Sequence, residues 1–259
     1  EVSRKLTAED RWDSISEDEC RSFVSDIAKL EAANYREGIF DFGNEERYKT
    51  RRIEDTCFHV CWALVEQVRA GNIKKSLYEV PFGRERSIAP IEVNLGSSTV
   101  YIEGKIDRLD ILEGDRVKIV DYKTGKETFN EKEARAGYRL QLMLYLKAAQ
   151  EKVRRPAGVF YFHIADQRVD LTGTEREKFF EKISKEMRKF FRLSGIMVDS
   201  GAVIEDIAGE FSGFSDILPL RRNTAGEVSA TSEGFLLSDE QFEQLQADVD
   251  VQIEKLCRQ

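Results

Sequence analysis

The sequence has little cysteine, proline and histidine, and it lacks any long apolar run. Its 259 residues include four Cys, four Pro and two His. The cysteines are too few and too scattered for a disulfide framework, which favours a reducing compartment. No stretch approaches the roughly 18 apolar residues of a membrane span, and no signal peptide opens the chain. We therefore expect a cytoplasmic protein without a membrane segment.

Several common functional motifs are also missing. The chain has no Walker A loop, no Rossmann glycine pattern and no zinc-finger spacing, so we expect no nucleotide-driven motor within it. Cys57 and Cys61 are spaced for one helix face, where free cysteine is usually a small buried hydrophobe. The chain runs from Glu1 to Gln259 without natural punctuation, from which we expect a piece of a longer protein.

Acidic residues outnumber basic ones, since 48 Asp and Glu oppose 40 Lys and Arg for a net charge of −8. This balance argues against a nucleic-acid coat protein, although basic residues can still line one groove. Each local basic cluster is either a solvated helix face or a contact for DNA. The clusters are Arg47, Lys49, Arg51 and Arg52; Arg135 and Arg139; Lys152, Arg154 and Arg155; and Arg221 and Arg222.

Helical and extended patterns divide the chain into three parts. Ser16 with Glu19 forms a capping box, and Glu45–Ala70 carries an apolar stripe that includes Ile53 and Cys57. Ser238 begins a final helix, and 195–237 is Gly- and Ser-rich, which we interpret as a long irregular excursion. We predict a helical part over 1–75, a core over 76–195, and a C-terminal excursion and helix over 196–259.

The centre of the chain carries the signal of a β-hairpin. Two alternating apolar runs, 104–112 and 116–123, flank the short polar break at Glu113, Gly114 and Asp115. If the turn is centred on Gly114, apolar residues face each other, whereas a shift by one residue would set them against Lys118 and Arg116. The facing pairs are Ile111 with Val117 and Leu109 with Ile119.

The same register places Asp107 opposite Asp121, with Lys123 projecting from the same face. Like charges directly opposite each other are destabilising. A divalent cation that prefers oxygen ligands, such as Mg²⁺ or Mn²⁺, would relieve the repulsion. Two alternatives stay open: Lys123 could partly neutralise the pair, or the hairpin could lie on the surface with solvated charges.

Four stretches of the central region stand out as motifs. They are Gly104-Lys105-Ile106-Asp107-Arg108, Asp121-Tyr122-Lys123-Thr124-Gly125, Gln141-Leu142-Met143-Leu144-Tyr145 and Pro156-Ala157-Gly158-Val159-Phe160-Tyr161. They resemble the PD-(D/E)XK nuclease module of the RecB/AddB family, and the last resembles the AddB subunit of bacterial helicase-nucleases in particular. Three linked motifs within residues 104–145 are more specific than a lone Asp-Xaa-Lys.

The resemblance implies a site and a fold. Asp107, Asp121 and the carbonyl of Tyr122 would bind Mg²⁺ or Mn²⁺, and Lys123 would act in catalysis. Glu79 is a further candidate ligand, or else an exposed acid of an edge strand. Gln141 and Tyr145 would flank the site, although Gln141 alone would pass for a surface residue. The implied fold is α+β and restriction-endonuclease-like, with a mixed, mainly antiparallel sheet of about five strands flanked by helices.

The family also has features that this chain lacks. Its metal-binding His lies on a helix in a glycine-rich context, which His59 lacks, so that role is not transferred. Its iron–sulfur cluster uses three closely spaced Cys after the nuclease core. No such trio follows here, so we expect no cluster in this chain and would place one in the longer parent protein.

The activity implied by the resemblance is metal-dependent hydrolysis of DNA by an exodeoxyribonuclease domain. The parent would be an AddB-like subunit of a bacterial helicase-nuclease that acts with an AddA-like helicase/nuclease subunit in double-strand-break repair by homologous recombination. The alternative is a catalytically silent nuclease fold that binds or routes DNA or scaffolds the partner subunit.

Overall fold

A computed structural model describes residues 2–34, 44–150, 154–165, 167–232 and 234–259. They form two compact units, Glu1–Ala70 with Ile164–Phe191 and Gly71–His163 with Arg192–Gln259. This division differs from the predicted one, which kept residues 76–195 together. The segment 164–191 joins the helical unit, where the side chain of Gln67 donates to the carbonyl of Phe191 at 3.4 Å.

The described residues form eight α-helices and eleven β-strands. The helices are α1 (Val2–Ala8), α2 (Glu17–Asn34), α3 (Asn44–Ala70), α4 (Glu131–Arg135), α5 (Gln141–Gln150), α6 (Phe179–Phe190), α7 (Gly201–Ala208) and α8 (Asp239–Cys257). The strands are β1 (Lys75–Phe82), β2 (Ile91–Asn94), β3 (Thr99–Ile102), β4 (Gly104–Ile111), β5 (Arg116–Lys123), β6 (Arg155–His163), β7 (Ser194–Val198), β8 (Gly213–Phe214), β9 (Leu220–Arg222), β10 (Val228–Ala230) and β11 (Leu236–Leu237). None of these helices combines the length and apolar composition needed to cross a bilayer.

The helical unit begins with the predicted capping box. The backbone N–H of Ser16 donates to Glu19 Oε2 at 2.8 Å, and the N–H of Glu19 donates back to Ser16 Oγ at 3.3 Å. The helix that follows, α2, packs on α1 and α3. Ile53 of α3, predicted to be buried, is 50% exposed, because the buried core of this unit meets α3 further along the helix. That core consists of Leu6, Ile15, Cys20, Val24, Phe58, Cys61 and Val65.

The second unit is built on a six-stranded sheet of order β1-β4-β5-β6-β7-β11. Three of its strand pairs are antiparallel, and the β5–β6 and β7–β11 pairs are parallel. The mixed, mainly antiparallel sheet with helices confirms the predicted α+β fold of the restriction-endonuclease type. Helices α4 and α5 lie between β5 and β6 in the chain, and α5 lays Leu142, Met143 and Leu146 into the core.

The prediction of an irregular excursion over 195–237 is wrong. This stretch contains most of β7, all of α7 and the short strands β8 to β11. Its strands β8, β9 and β10 pair as a small separate sheet, while β11 adds the sixth strand to the main one. Strands of two or three residues are too short to show an alternating pattern, which is why the sequence did not reveal them.

The β4–β5 hairpin has the predicted register. Strand β4 pairs with β5 through Leu109 with Ile119 and Ile111 with Val117. The turn is a short 3₁₀ segment, and Gly114 takes a φ of 65°, which glycine adopts without steric cost. The backbone pairing of β4 with β5 ends at Arg108 with Val120, so Asp107 and Asp121 come directly after its last pair.

Candidate active site

The end of the β4–β5 ladder brings two aspartates together. Asp107 is half-buried on β4, and Asp121 on β5 is 1% exposed. The backbone N–H of Tyr122 donates to Asp107 Oδ2 at 3.0 Å. The carboxylate of Asp107 therefore continues the hydrogen bonding of the hairpin beyond its last backbone pair, and it is held against β5.

Lys123 links this pair to α5. Its Nζ lies 2.6 Å from Asp121 Oδ2 and donates to Gln141 Oε1 at 2.8 Å. Gln141 Nε2 in turn donates to the Tyr145 hydroxyl at 2.8 Å, as expected for residues four apart on one helix face. The structure thus brings Asp107, Asp121, Lys123, Gln141 and Tyr145 into one polar group.

Burial and like charge act together on Asp121. Burial raises the pKa of its carboxyl, and the charges of Asp107 and Glu127 raise it further, while the hydrogen bond and charge of Lys123 oppose them. Burial lowers the pKa of Lys123, but the hydrogen bond and charge of Asp121 outweigh it and leave that pKa raised. Burial also raises the pKa of the Tyr145 hydroxyl, with Asp121 and Asp107 adding to the effect. The site therefore disfavours its own negative charge and would be stabilised by a cation.

The donor set fits a divalent cation that prefers oxygen. Asp121 Oδ2 is buried and pairs with Lys123 Nζ at 2.6 Å. A carboxylate offers about four lone-pair sites on its two oxygens, so acceptor capacity remains for a ligand. Within the described residues, no group of three or more His, Cys, Asp or Glu is placed to bind a metal. The protein could supply two carboxylates and the carbonyl of Tyr122, and Mg²⁺ commonly takes its other ligands from water and substrate.

Within the described residues Glu79 forms no group of three with the two aspartates, and its role as a third ligand stays a prediction. It lies on β1 with a φ of 53°, in the left-handed region, where the residue leaves the regular β1–β4 pairing. Its side chain is 40% exposed and forms an ion pair with Lys105. The left-handed backbone could not be foreseen from a sequence that otherwise alternates like a strand.

Two residues near the site escaped the sequence analysis. Tyr161 of β6 lies beside Asp121 in the parallel β5–β6 register, and its ring centroid is 5.5 Å from Lys123 Nζ. Glu127 contributes a negative charge near Asp121. Tyr161 belongs to an apolar strand distant in sequence, and only the order of strands in the sheet could have indicated its place.

Three described residues of the basic clusters form ion pairs with acids of the same chain. Lys49 pairs with Glu45, Arg139 pairs with Glu133, and Arg135 pairs with Glu131 and Asp248. Such exposed pairs contribute little to stability. The side chain of Arg47 and the whole of Lys152 lie outside the described residues. The contacts of these clusters therefore assign none of them to DNA binding.

Replacing Asp121 with Asn should stabilise the metal-free protein at neutral pH by up to about 1 kcal/mol, the upper range for relieving facing like charges. The raised pKa of Asp121 means that folding favours its protonated form, which Asn resembles. The advantage should shrink as the pH falls through this raised pKa, because the native carboxyl then takes up a proton. Urea unfolding of the variant and the unsubstituted chain, at acidic and at neutral pH, measures the difference in their free energies of unfolding. A difference that does not change with pH would contradict the argument.

Comparison with known proteins supports a nuclease interpretation of this geometry. Residues 7–257 match the family model of the PD-(D/E)XK nuclease superfamily. An ATP-dependent helicase/deoxyribonuclease subunit of Alkaliphilus oremlandii is 31% identical over 91% of this chain and 21% of its own length. The protein of the same name from Clostridium tetani is 31% identical over 96% of this chain and 22% of its own length. The chain spans about a fifth of the length of these relatives, and it belongs to the PD-(D/E)XK nuclease superfamily.

Proposed function

We propose that the chain is the metal-dependent DNA-cleaving domain, an exodeoxyribonuclease, of an AddB-like helicase-nuclease subunit. The observation that carries the proposal is the placement of Asp107 and Asp121 at the end of one hairpin, with Lys123 Nζ 2.6 Å from Asp121. Two carboxylates and a lysine at the margin of a buried core provide metal ligands and a positive charge for phosphodiester hydrolysis.

Each residue has a distinct role in this mechanism. Asp107, Asp121 and the carbonyl of Tyr122 would bind Mg²⁺ or Mn²⁺, which supplies a Lewis acid for charge developing on the phosphate. Lys123 would donate from Nζ to the attacking water or to a non-bridging oxygen, where a fixed positive charge favours the transition state. Gln141 holds Lys123 through its side-chain oxygen, and Tyr145 holds Gln141. No covalent nucleophile is required.

A second candidate is a silent nuclease fold that grips or routes DNA or scaffolds a partner subunit. One observation favours it, because the described residues bring together only two carboxylates and Lys123 already neutralises one of them. A silent site would retain the fold and bind DNA without hydrolysing it. The two functions therefore differ in turnover rather than in DNA binding.

The relatives suggest the cellular setting of the activity. Their shared name describes a subunit of an ATP-dependent helicase and deoxyribonuclease. We infer a bacterial cytoplasmic assembly in which this domain cleaves DNA that a motor delivers, with an AddA-like subunit as partner and double-strand-break repair by homologous recombination as the process. A motor that feeds DNA to the site would also compensate for the net negative charge of this chain.

The test is cleavage of end-labelled linear DNA, single- and double-stranded, by the purified chain with Mg²⁺, Mn²⁺ or EDTA. We expect cleavage with either metal and none with EDTA. Circular single-stranded DNA should stay intact, because an exonuclease needs an end. Calorimetric titration with Mn²⁺ supplies the second readout. Binding of DNA and Mn²⁺ without any cleavage would favour the silent fold, and cleavage of circles would show an endonuclease.

A further inference from the structure

Behind the candidate site, on the opposite face of the same hairpin, lie three charged residues that are fully buried. Arg108, Asp110 and Lys118 are each 0% exposed, and we call them the buried charge cluster. We propose that this cluster is a positioning element, in which Arg108 holds Asp107 in place beside Asp121. The inference rests on the proposed function, since it gives Asp107 a role in binding a cation.

The cluster ties three strands together through one carboxylate. Arg108 Nε donates to Asp110 Oδ1 at 2.8 Å, and Lys118 Nζ lies 2.7 Å from Asp110 Oδ2. Ser76 of β1 also donates to Asp110 Oδ1, at 2.7 Å. Ser76 and Lys118 are the two cross-strand partners of Asp110 in the sheet. The side chains thus fasten β1, β4 and β5 at the same level of the sheet.

Stability alone is a poor explanation for this arrangement. Removing three charges from water costs several kcal/mol per ion, and apolar side chains of similar volume often stabilise a core equally well or better. Two basic side chains also share a single carboxylate, and burial lowers the pKa of Lys118, so the cluster is not a balanced ion pair. Buried ion pairs of this kind are retained in some proteins because they specify one arrangement of the chain.

Asp107 and Asp121 of the candidate site are the next residues after the Arg108–Val120 pair on β4 and β5. Successive strand residues point to opposite faces, so Arg108 belongs to the buried face and Asp107 to the face of the candidate site. The backbone pairing of β4 with β5 ends at Arg108 with Val120, and beyond that pair the facing carboxylates of Asp107 and Asp121 repel each other. Without a restraint the strands would separate at this point. Arg108 lies one residue from Asp107 and bonds to Asp110. Asp110 pairs across to Lys118 of β5, three residues from the aspartates.

Tyr122 connects the two faces. Its hydroxyl is buried. Arg108 pairs with Val120, and Tyr122 lies two residues beyond Val120, so the side chains of Arg108 and Tyr122 are diagonal neighbours on one face of the sheet. The Tyr122 ring packs edge-on against Phe162 with the centroids 6.0 Å apart. The backbone N–H of the same residue donates to Asp107 Oδ2 at 3.0 Å. Arg108 therefore shares a face with the side chain of the residue whose backbone orients Asp107.

The variant Arg108→Met tests this role, since it keeps most of the side-chain length and leaves Asp110 and Lys118 as a neutral pair. The first readout needs neither metal nor DNA. In the metal-free protein, hydrogen exchange of the Tyr122 amide should become at least about 10-fold faster relative to that of Leu112. The Leu112 N–H donates to the Arg116 carbonyl at 2.9 Å, at the turn end of the same hairpin, and it reports any general loss of stability.

The second readout is Mn²⁺ affinity by calorimetry, for which we expect binding about 10- to 100-fold weaker, as when a residue that orients a metal ligand is lost. Arg108→Lys should recover part of both effects. The matched control is Lys118→Met, which removes a buried charge that does not adjoin Asp107. It should lower stability while moving the Tyr122 to Leu112 exchange ratio less than Arg108→Met does.

Two outcomes would overturn the inference. One is an unchanged exchange ratio in Arg108→Met, which would show that the cluster serves stability alone. The other is an equal change in Arg108→Met and Lys118→Met, which would show no special link from Arg108 to Asp107. Failure of the proposed function would be seen separately, if the unsubstituted chain bound no Mn²⁺ and cleaved no DNA. In that case the exchange ratio would still decide whether Arg108 positions Asp107.

Discussion

Replacing Asp121 with Asn is expected to reduce DNA cleavage roughly 10³-fold or more, since several kcal/mol of transition-state charge stabilisation depend on the cation that this carboxylate would hold. Asn keeps the size of the side chain and removes its charge. Lys123, its ion-pair partner at 2.6 Å, keeps the hydrogen bond to Gln141. The loss should therefore come from chemistry rather than from unfolding. Initial rates on end-labelled linear DNA at saturating Mg²⁺ measure it.

Asp115→Asn provides the matched control. Asp115 lies in the turn at the other end of the same hairpin, is exposed, and has a φ of 55°, which Asn tolerates well. The same chemical change at this position should leave the cleavage rate as it is. Equal losses of cleavage rate in the two variants would contradict a specific role of Asp121. An Asp121→Asn variant that cleaves at the rate of the unsubstituted chain would exclude Asp121 from the reaction.

Replacing Lys123 with Met is expected to lower kcat by about 10²- to 10³-fold, the usual effect of removing one preorganised group that stabilises developing charge. Metal binding should become tighter, because the substitution removes the cation whose Nζ lies 2.6 Å from Asp121 Oδ2 and competes with the metal. The two readouts thus move in opposite directions. Single-turnover cleavage rates and calorimetric Mn²⁺ titration, measured on the same sample, separate them.

Lys126→Met is the control for this second prediction. Lys126 is exposed three residues further along the chain, so its loss removes one positive charge without touching the polar group around Asp121. We expect the Lys126→Met variant to cleave DNA at a rate close to that of the unsubstituted chain. A drop in kcat equal to that of Lys123→Met would indicate a general loss of attraction for DNA, and a Lys123→Met protein that no longer binds Mn²⁺ would show that the lysine organises the carboxylates instead.

The part of the site that the sequence predicts is the part that lies within one hairpin. Alternation around Gly114 was enough to fix the register of β4 and β5, and hence the facing positions of Asp107 and Asp121. Tyr161 could not be predicted in this way, because it reaches the site through the parallel pairing of β5 with β6. Local periodicity carries no information about which distant strand becomes a neighbour.

The buried charge cluster shows a second limit of pattern-based prediction. Lys118 breaks the apolar pattern of β5, and such a residue is ordinarily assigned to solvent. It is instead fully buried against Asp110. The available signal was the complementary charge of Arg108, Asp110 and Lys118 at facing positions of the predicted register. The backbone of Glu79 shows a third limit, since its left-handed conformation is not encoded in any alternation of residue types.

The short turn of the β4–β5 hairpin has a consequence for the order of folding. Closing a small loop costs less conformational entropy than closing a large one, and hairpins form within about 1–10 μs. The pairing of β7 with β11 must instead wait for α7 and the small sheet between them. Hydrogen-bonded pairs alternate along an antiparallel ladder, and the Leu112 N–H bonds to Arg116 across the turn, so Asp110 with Lys118 is the next hydrogen-bonded pair. In pulse-labelling hydrogen exchange during refolding, the amides of Asp110 and Lys118 should gain protection before those of β11. The two aspartates would then face each other early, and cations in the refolding buffer should accelerate the first phase more than the later ones.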